Sequence, residues 1–343
     1  MPNINSGLTT LAEILQHQGG ANADLERRII EGVLYSAPLF SKLPARTIKG
    51  TQYKQRVRTS LPLIGPTPYN TAPGSLNLNF EVRNAEAYPY QAFFAVDKKL
   101  EHGQKEMFGD YAAQVMRAGT RGIMASLEFA AIYGKAFAEW GMHGLVDTIG
   151  DYMTISATGK HDSRVYGGAS VWALCLTPDD GPTVIWGNNK SINFGPRRES
   201  DVTMPKANGE LGSMPVYRWD VDFHIGMSQM ADDTSARIVN ESAANPLTDE
   251  MLATLLEQFP AGRTPNVLAM NRKTLSRLRK TRSSAVTHIL KRGTTLADTP
   301  TEFDGIPILV TDMLLDDETE ENVAKLAKRT ELTMQKNMSN LIR

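Results

Sequence analysis

The sequence predicts an α+β fold, and three observations predict it. An apolar stripe of helical spacing runs from Lys105 to about Tyr133, through Phe108, Tyr111, Val115, Met116, Met124 and Leu127. Residues 165–240 hold successive runs of β-branched and aromatic residues punctuated by glycine and proline. Residues 51–97 alternate apolar and polar side chains on both sides of a proline-rich stretch. The 343 residues suit two domains or one elaborated domain. With 41% apolar and 22% charged residues, the composition is that of a globular protein, not a disordered one.

In chain order, Leu8 to Gln16 and Asp24 to Tyr35 read as helices, the second carrying Leu25, Ile29, Val33 and Leu34 as a stripe. The proline in "SAPLFSKLP" stops it. Next comes an extended β-arm, 51–97. In "TQYKQRVRT", Tyr53, Gln55 and Val57 point one way, and Lys54, Arg56 and Arg58 the other. "LPLIGPTPYNTAPG" holds four prolines and is therefore a loop or tip. "LNLNFEVR" returns from it with Leu76, Leu78, Phe80 and Val82 on one face. The apolar residues are expected on one face of the arm and the cations on the other. A two-stranded arm cannot bury an apolar face alone, so another surface must cover it.

At about 1.5 Å per residue, the helix from Lys105 would extend about 45 Å. Gly109, Gly119 and Gly122 within it mark close packing or a bend. The β-rich region follows, with strands in "SVWALCL", "TVIWG", "SINFG" and "PVYRWDVDFHIGMSQM". Its segment "WDVDFHIGMSQMADD" crowds four aspartates and a histidine, the donor types of a metal site. Period-two alternation explains them more simply. Trp219, Val221, Phe223, Ile225 and Met227 take one face, leaving Asp220, Asp222 and His224 on the solvent side. The six histidines are scattered singly, so no other cluster completes a ligand set.

Pro246 to Phe259 reads as a helix capped by Thr248 or Asp249. "NVLAMN" is a buried strand, and its Asn271 caps a basic helix in which Leu275 and Leu278 face inward and the cations outward. "EFDGIPILVTDMLL" turns at Asp304-Gly305 into another buried strand, and Val323 to Lys328 is helical.

The sequence excludes several function classes. Cys175, the single cysteine, lies in an apolar run and is expected as a buried small residue, and no disulfide is possible within one chain. The start of the sequence does not read as a secretion signal, and nothing reads as a membrane span. "SATGKHDS" fails as a phosphate loop, because Thr154 replaces its first glycine and His161 the magnesium-binding Ser/Thr. No catalytic, metal or cofactor-binding residues are assigned. Lys+Arg total 37 and Asp+Glu 38, so no global field draws nucleic acid or membrane. The charge is nonetheless segregated. Residues 32–80 and 258–297 contain no acid, whereas "DMLLDDETEE" at 312–321 is strongly acidic. Such segregation fits complementary surfaces between copies, or faces neutralised within one chain.

Taken in order, these segments resemble the major capsid proteins of tailed phages, which have the Hong Kong 97-type fold. The resemblance runs from "TLAEILQ…IIEGVLYSAPLFSKLP" through "YKQRVRTSLPLIG…LNFEVRNAEAY", "SLEFAAIYG", "GLVDTIG", "SVWALCL" and "YRWDVDFHIGMSQMADDTSARIVN". It closes with "NVLAMNRKTLSRLRK" and "GIPILVTDMLLDDETEENV". The order is similar to a circularly permuted variant in the Bordetella and epsilon-type short-tailed phages, where peripheral strands precede the axial segment. The resemblance implies an N-terminal arm (1–50), an extended β-arm or E-loop (51–97), a peripheral domain with spine helix and β-layer (98–240), an axial α/β domain (241–312) and a C-terminal tail (313–343).

It further implies a structural protein, not an enzyme, made in the host bacterial cytoplasm and residing in the virion. Hexamers and pentamers would close an icosahedral shell around double-stranded DNA, bound non-specifically, with scaffolding, portal and cement proteins as partners and no membrane. Expected intersubunit contacts are Lys54, Arg56, Arg58, Leu76, Leu78, Phe80 and Val82, with the acids of 312–321 on a neighbour meeting the arm's cations. Three other readings are open. One is an encapsulin-like shell around protein cargo. Another is a metal-dependent hydrolase using Asp220, Asp222 and His224. The third is nucleic-acid binding through the 272–282 helix.

Overall fold

The computed structural model describes residues 37–58, 65–66, 69, 80–108, 111–136, 140–159, 167–188, 192–205, 210–285, 298–319 and 322–323. The helices expected at 8–16 and 24–35, most of the proline-rich tip, Leu76, Leu78 and most of the helix expected at 323–328 lie outside these residues.

The chain enters with strand β1 (Ala45–Thr47), then forms the arm from β2 (Gln52–Arg58) and β3 (Phe80–Glu86). β4 (Tyr88–Asp97) leads into helices α1 (Lys98–Phe108) and α2 (Tyr111–Tyr133). A short α3 (Leu145–Thr148) precedes β5 (Thr154–Ser156) and β6 (Ala169–Leu174). Then come β7 (Thr183–Trp186), β8 (Asn193–Phe194), β9 (Arg198–Pro205) and the 18-residue β10 (Leu211–Ser228). The chain continues through β11 (Ser235–Glu241), α4 (Asp249–Glu257), β12 (Val267–Met270) and α5 (Arg272–Ala285). It closes with β13 (Glu302–Phe303) and β14 (Ile306–Val310).

Two six-stranded sheets result. In the first, β10 is central: β4 pairs along one edge, and β7, β8 and β9 share the other, with β1 parallel to β7. The second runs β13-β14-β12-β6-β11-β5. β10 alternates as expected, burying Trp219, Val221, Phe223, Ile225 and Met227 while Asp220, Asp222 and His224 stay half-exposed. α2 packs on the buried face, and Gly119 makes this possible, because a Cβ there would overlap the Phe94 ring. Gly119 therefore marks close packing, whereas Gly122 faces open space. The last seven residues of α2, 127–133, are all buried, with Trp186 and Phe223 of the first sheet and Trp172 and Val267 of the second in one continuous core.

Two helix caps and a turn expected in the C-terminal half are present. Thr248 caps α4 by accepting from the Met251 amide at 3.2 Å, and Asn271 caps α5 by accepting from the Thr274 amide at 2.7 Å. Asp304 and Gly305, both at positive φ, turn β13 into β14. Cys175 is buried, and burial raises its thiol pKa.

Several long-range expectations need correction. Residues 165–240 do not form one β-layer beside the long helix. β6 pairs with β12, and β11 with β6, so both belong to the second sheet, and the expected boundary at 240/241 falls inside β11. All six residues of β6 are buried, the mark of a central strand covered on both faces; composition cannot say which sheet owns it. Residues 88–97 are not arm: β4 pairs with β10 over ten residues. "RESDVTMP", with no apolar run to mark it, is edge strand β9. Helix begins at Lys98, because the polar "KKLEHG" lacks the stripe that announces α2. β14 is half-buried, not buried.

Candidate functional site

The arm is where the sequence places its candidate residues. β2 and β3 pair antiparallel from Gln52 opposite Glu86 to Arg58 opposite Phe80. This register sets Arg56 directly opposite Val82, so the apolar and basic residues share one face of the arm instead of dividing its two faces. Sequence fixes the alternation within each strand but not the parity between them. The other face carries Tyr53, Gln55, Val57, Glu81, Arg83 and Ala85. It lies on the chain's own body, with Ala85, Tyr53 and Val57 against Ile48, Ile185 and Met230. A Cβ on Gly226 would overlap the Glu86 carbonyl, so glycine lets the arm's base cross β10. Phe80 and Val82 are 59% and 55% exposed, and Lys54 and Arg56 are exposed beside them.

Asp220 and Asp222 of β10 line a cleft of about 520 Å³ with Phe93, Phe194 and Arg198, and His224 lies outside it. Its polar groups answer one another. Asp220 accepts from Arg218 Nε at 2.6 Å and lies 3.9 Å from Arg198. Asp222 accepts from Asn193 Nδ2 at 3.0 Å, and His224 Nδ1 lies 3.4 Å from Asn188 Nδ2. Among the described residues no three His, Cys, Asp or Glu side chains stand close enough to hold a metal ion.

Three cations of the basic helix α5 form ion pairs within the chain. Arg277 is half-buried, not outward-facing, and reaches Glu241 at 2.6 Å and Asp316 at 2.9 Å. Lys273 reaches Asp316 at 2.7 Å, and Arg282 reaches Asp249 at 2.6 Å. The acidic run 312–321 is therefore not simply a surface for a neighbour's cations. Asp316 is shared by two bases of its own chain, and Glu318 is 2% exposed.

The sequence reading missed three buried carboxyls. Glu128 of α2 accepts from the amides of Leu39 and Phe40, both at 3.1 Å, and from the Thr311 hydroxyl. Glu318 accepts from Ser170 Oγ at 2.5 Å and Tyr133 Oη at 2.8 Å. Burial outweighs these donors and pushes both carboxyls up to about 7. Glu241 is raised by burial as well, against donors from Thr274 and Arg277. Glu128 and Glu318 tie the strap 311–318 to α2 and β6, and Glu241 ties β11 to α5. The available signal for Glu128 was a lone acid inside the apolar stretch "SLEFAAIY".

No protein-family model matches the chain, and neither does any curated protein. Solved structures do. A cryo-EM structure of bacteriophage Epsilon15 matches with a TM-score of 0.59 at 15% identity, over 93% of this chain and 99% of that one. The bacteriophage JBD30 capsid matches at 0.44 and 11% identity, over 79% and 88%. The SrpI encapsulin complex of Synechococcus elongatus PCC 7942 matches at 0.40 and 9%, over 60% and 87%. The fold is that of phage capsid proteins, the Hong Kong 97 type. Among the described residues Phe80 and Val82 on the arm stay exposed, and no helix is long and apolar enough to cross a membrane.

Proposed function

We propose that the chain is the major capsid protein of a tailed phage, a structural protein and not an enzyme. Copies assemble into hexamers and pentamers that close an icosahedral shell around double-stranded DNA in the virion, after synthesis in the host cytoplasm. Scaffolding, portal and cement proteins are its partners. The first sheet with α2 is the peripheral unit and the second the axial unit. In chain order β7 to β10 of the first sheet precede β11 to β14 of the second, as the permuted order requires, whereas β5 and β6 of the second sheet come before them.

The observation that carries this reading is the arm. It shows solvent a face of Phe80 and Val82 flanked by Lys54 and Arg56, on a ribbon too thin to cover it. Burying Phe80 and Val82 against a second copy would contribute about 1.5–3 kcal/mol each before ordering costs. Electron micrographs of the expressed full chain test the proposal, together with analysis of what purified particles contain. Closed shells are the expected result, and replacing 60–75 with a short Gly-Ser linker should abolish them while circular dichroism stays unchanged. A wild-type chain that stays monomeric at high concentration and under crowding contradicts the reading. Particles that enclose protein cargo in place of DNA contradict the phage part of it.

A further inference from the structure

Arginines and aspartates gather where the base of the arm meets both sheets. Arg83 of β3 grips Asp232 as a fork, Nη1 to Oδ1 at 2.5 Å and Nη2 to Oδ2 at 2.8 Å, and Nη1 also donates to the Met230 carbonyl at 3.0 Å. Arg263, beyond α4, reaches Asp180 at 3.2 Å and Asp233 at 3.3 Å. Arg46 of β1 reaches Asp179 at 2.7 Å and donates to the Tyr53 hydroxyl on β2. The amides of Met230 and Ala231 both donate to the Asp180 carbonyl, at 3.1 and 3.0 Å. Asp179 and Asp180 stand where the chain crosses from β6 of the second sheet to β7 of the first. Asp232 and Asp233 stand where it crosses back, from β10 to β11.

We propose that this node is a clamp that fixes the direction of the arm relative to the junction of the two sheets, with Arg83 and Asp232 as its positioning residues. The consequence for assembly rests on the function proposed above; the clamp itself does not. The apolar contacts at the arm's base are few, and non-directional contacts do not set an angle. A planar guanidinium held by both carboxylate oxygens does. The Arg83 and Asp232 side chains are 26% and 41% exposed, so the pair stays in reach of water and salt weakens it.

The test uses the full chain, with hydrogen exchange on unassembled subunits and electron micrographs of assembled ones. In Asp232→Asn, amides of 52–57 and 80–86 should exchange about tenfold faster, with β10 and β12 unchanged, and particles should lose their single diameter. Arg83→Lys keeps the charge but loses the fork, and should move both readouts the same way by less. Exchanging the partners, Arg83→Asp with Asp232→Arg, should restore both. Unchanged arm exchange in Asp232→Asn, or no recovery in the exchanged pair, overturns the clamp. If Asp232→Asn also loosens β10, Arg83→Lys decides the matter on the same criterion. A wild-type chain that forms no particles counts against the assembly reading, while the exchange comparison still decides the clamp.

Discussion

The arm and the strap 311–318 both leave a sheet, and they are held in opposite ways. The strap is bound by buried carboxyls: Glu128 takes the Thr311 hydroxyl, and Glu318 takes Ser170 and Tyr133. The arm is held at its base by ion pairs half open to water and shows Phe80 and Val82 to solvent. The strap's interactions are completed inside one chain and respond to pH. Among the described residues the arm's apolar face is left open, and its ion pairs respond to salt. A segment whose polar and apolar groups are all answered belongs to the subunit's own stability; one that leaves an apolar face open depends on another surface.

The largest effect that would sharpen this contrast is in the core beneath the strap. Trp172 lies in β6, is fully buried, and donates its Nε1 to Ser170, which in turn donates to Glu318. Trp172→Ala should destabilise the unassembled subunit by about 3–5 kcal/mol in denaturant titration, whereas Phe80→Ala should cost it less than about 0.5.

The next largest is a pH effect. Glu128 and Glu318 carry folded-state values of about 7, raised from 4.5, so the folded state holds protons the unfolded chain has released. The stability from the neutral forms is complete below about pH 4.5 and is lost as pH rises through 7. The loss is of order 3 kcal/mol for each group. Unfolding midpoints measured from pH 5 to 8 should fall with pH, and Glu318→Gln should flatten the slope. A slope of the opposite sign breaks the contrast.

Gly119→Ala should cost about 1–3 kcal/mol in thermal unfolding, because the Phe94 ring must move, while Gly122→Ala should be neutral or slightly stabilising. The smallest effect is on the arm of the unassembled subunit. Raising salt from 0.05 to 0.5 M (about) should speed amide exchange in β2 and β3 and leave β12 unaffected.

Local features were legible in the sequence because they are set by neighbours along the chain. Thr248, Asn271 and the Asp304-Gly305 turn each act within three or four residues, and the alternation in β10 needs only its own strand. The order of segments carried the resemblance to the phage capsid fold. Pairings between distant segments were not legible. Nothing in "SVWALCL" says that it sits between β12 and β11, and nothing in "TQYKQRVR" fixes Arg56 opposite Val82. The arm's candidate residues were found, but their arrangement on one face required the register. The buried glutamates were hidden for a related reason: an acid reads as surface until its donors, up to 185 residues away, are known.

Sedimentation velocity of Phe80→Asp beside the wild type shows whether the exposed face of the arm belongs to a second copy of the chain. The variant should keep the wild-type circular dichroism spectrum and melting temperature and sediment only as a monomer, while the wild type forms large assemblies. A variant that unfolds as a monomer would place this face in the subunit's own core, and one that assembles like the wild type would show that the face contacts nothing; either contradicts the account.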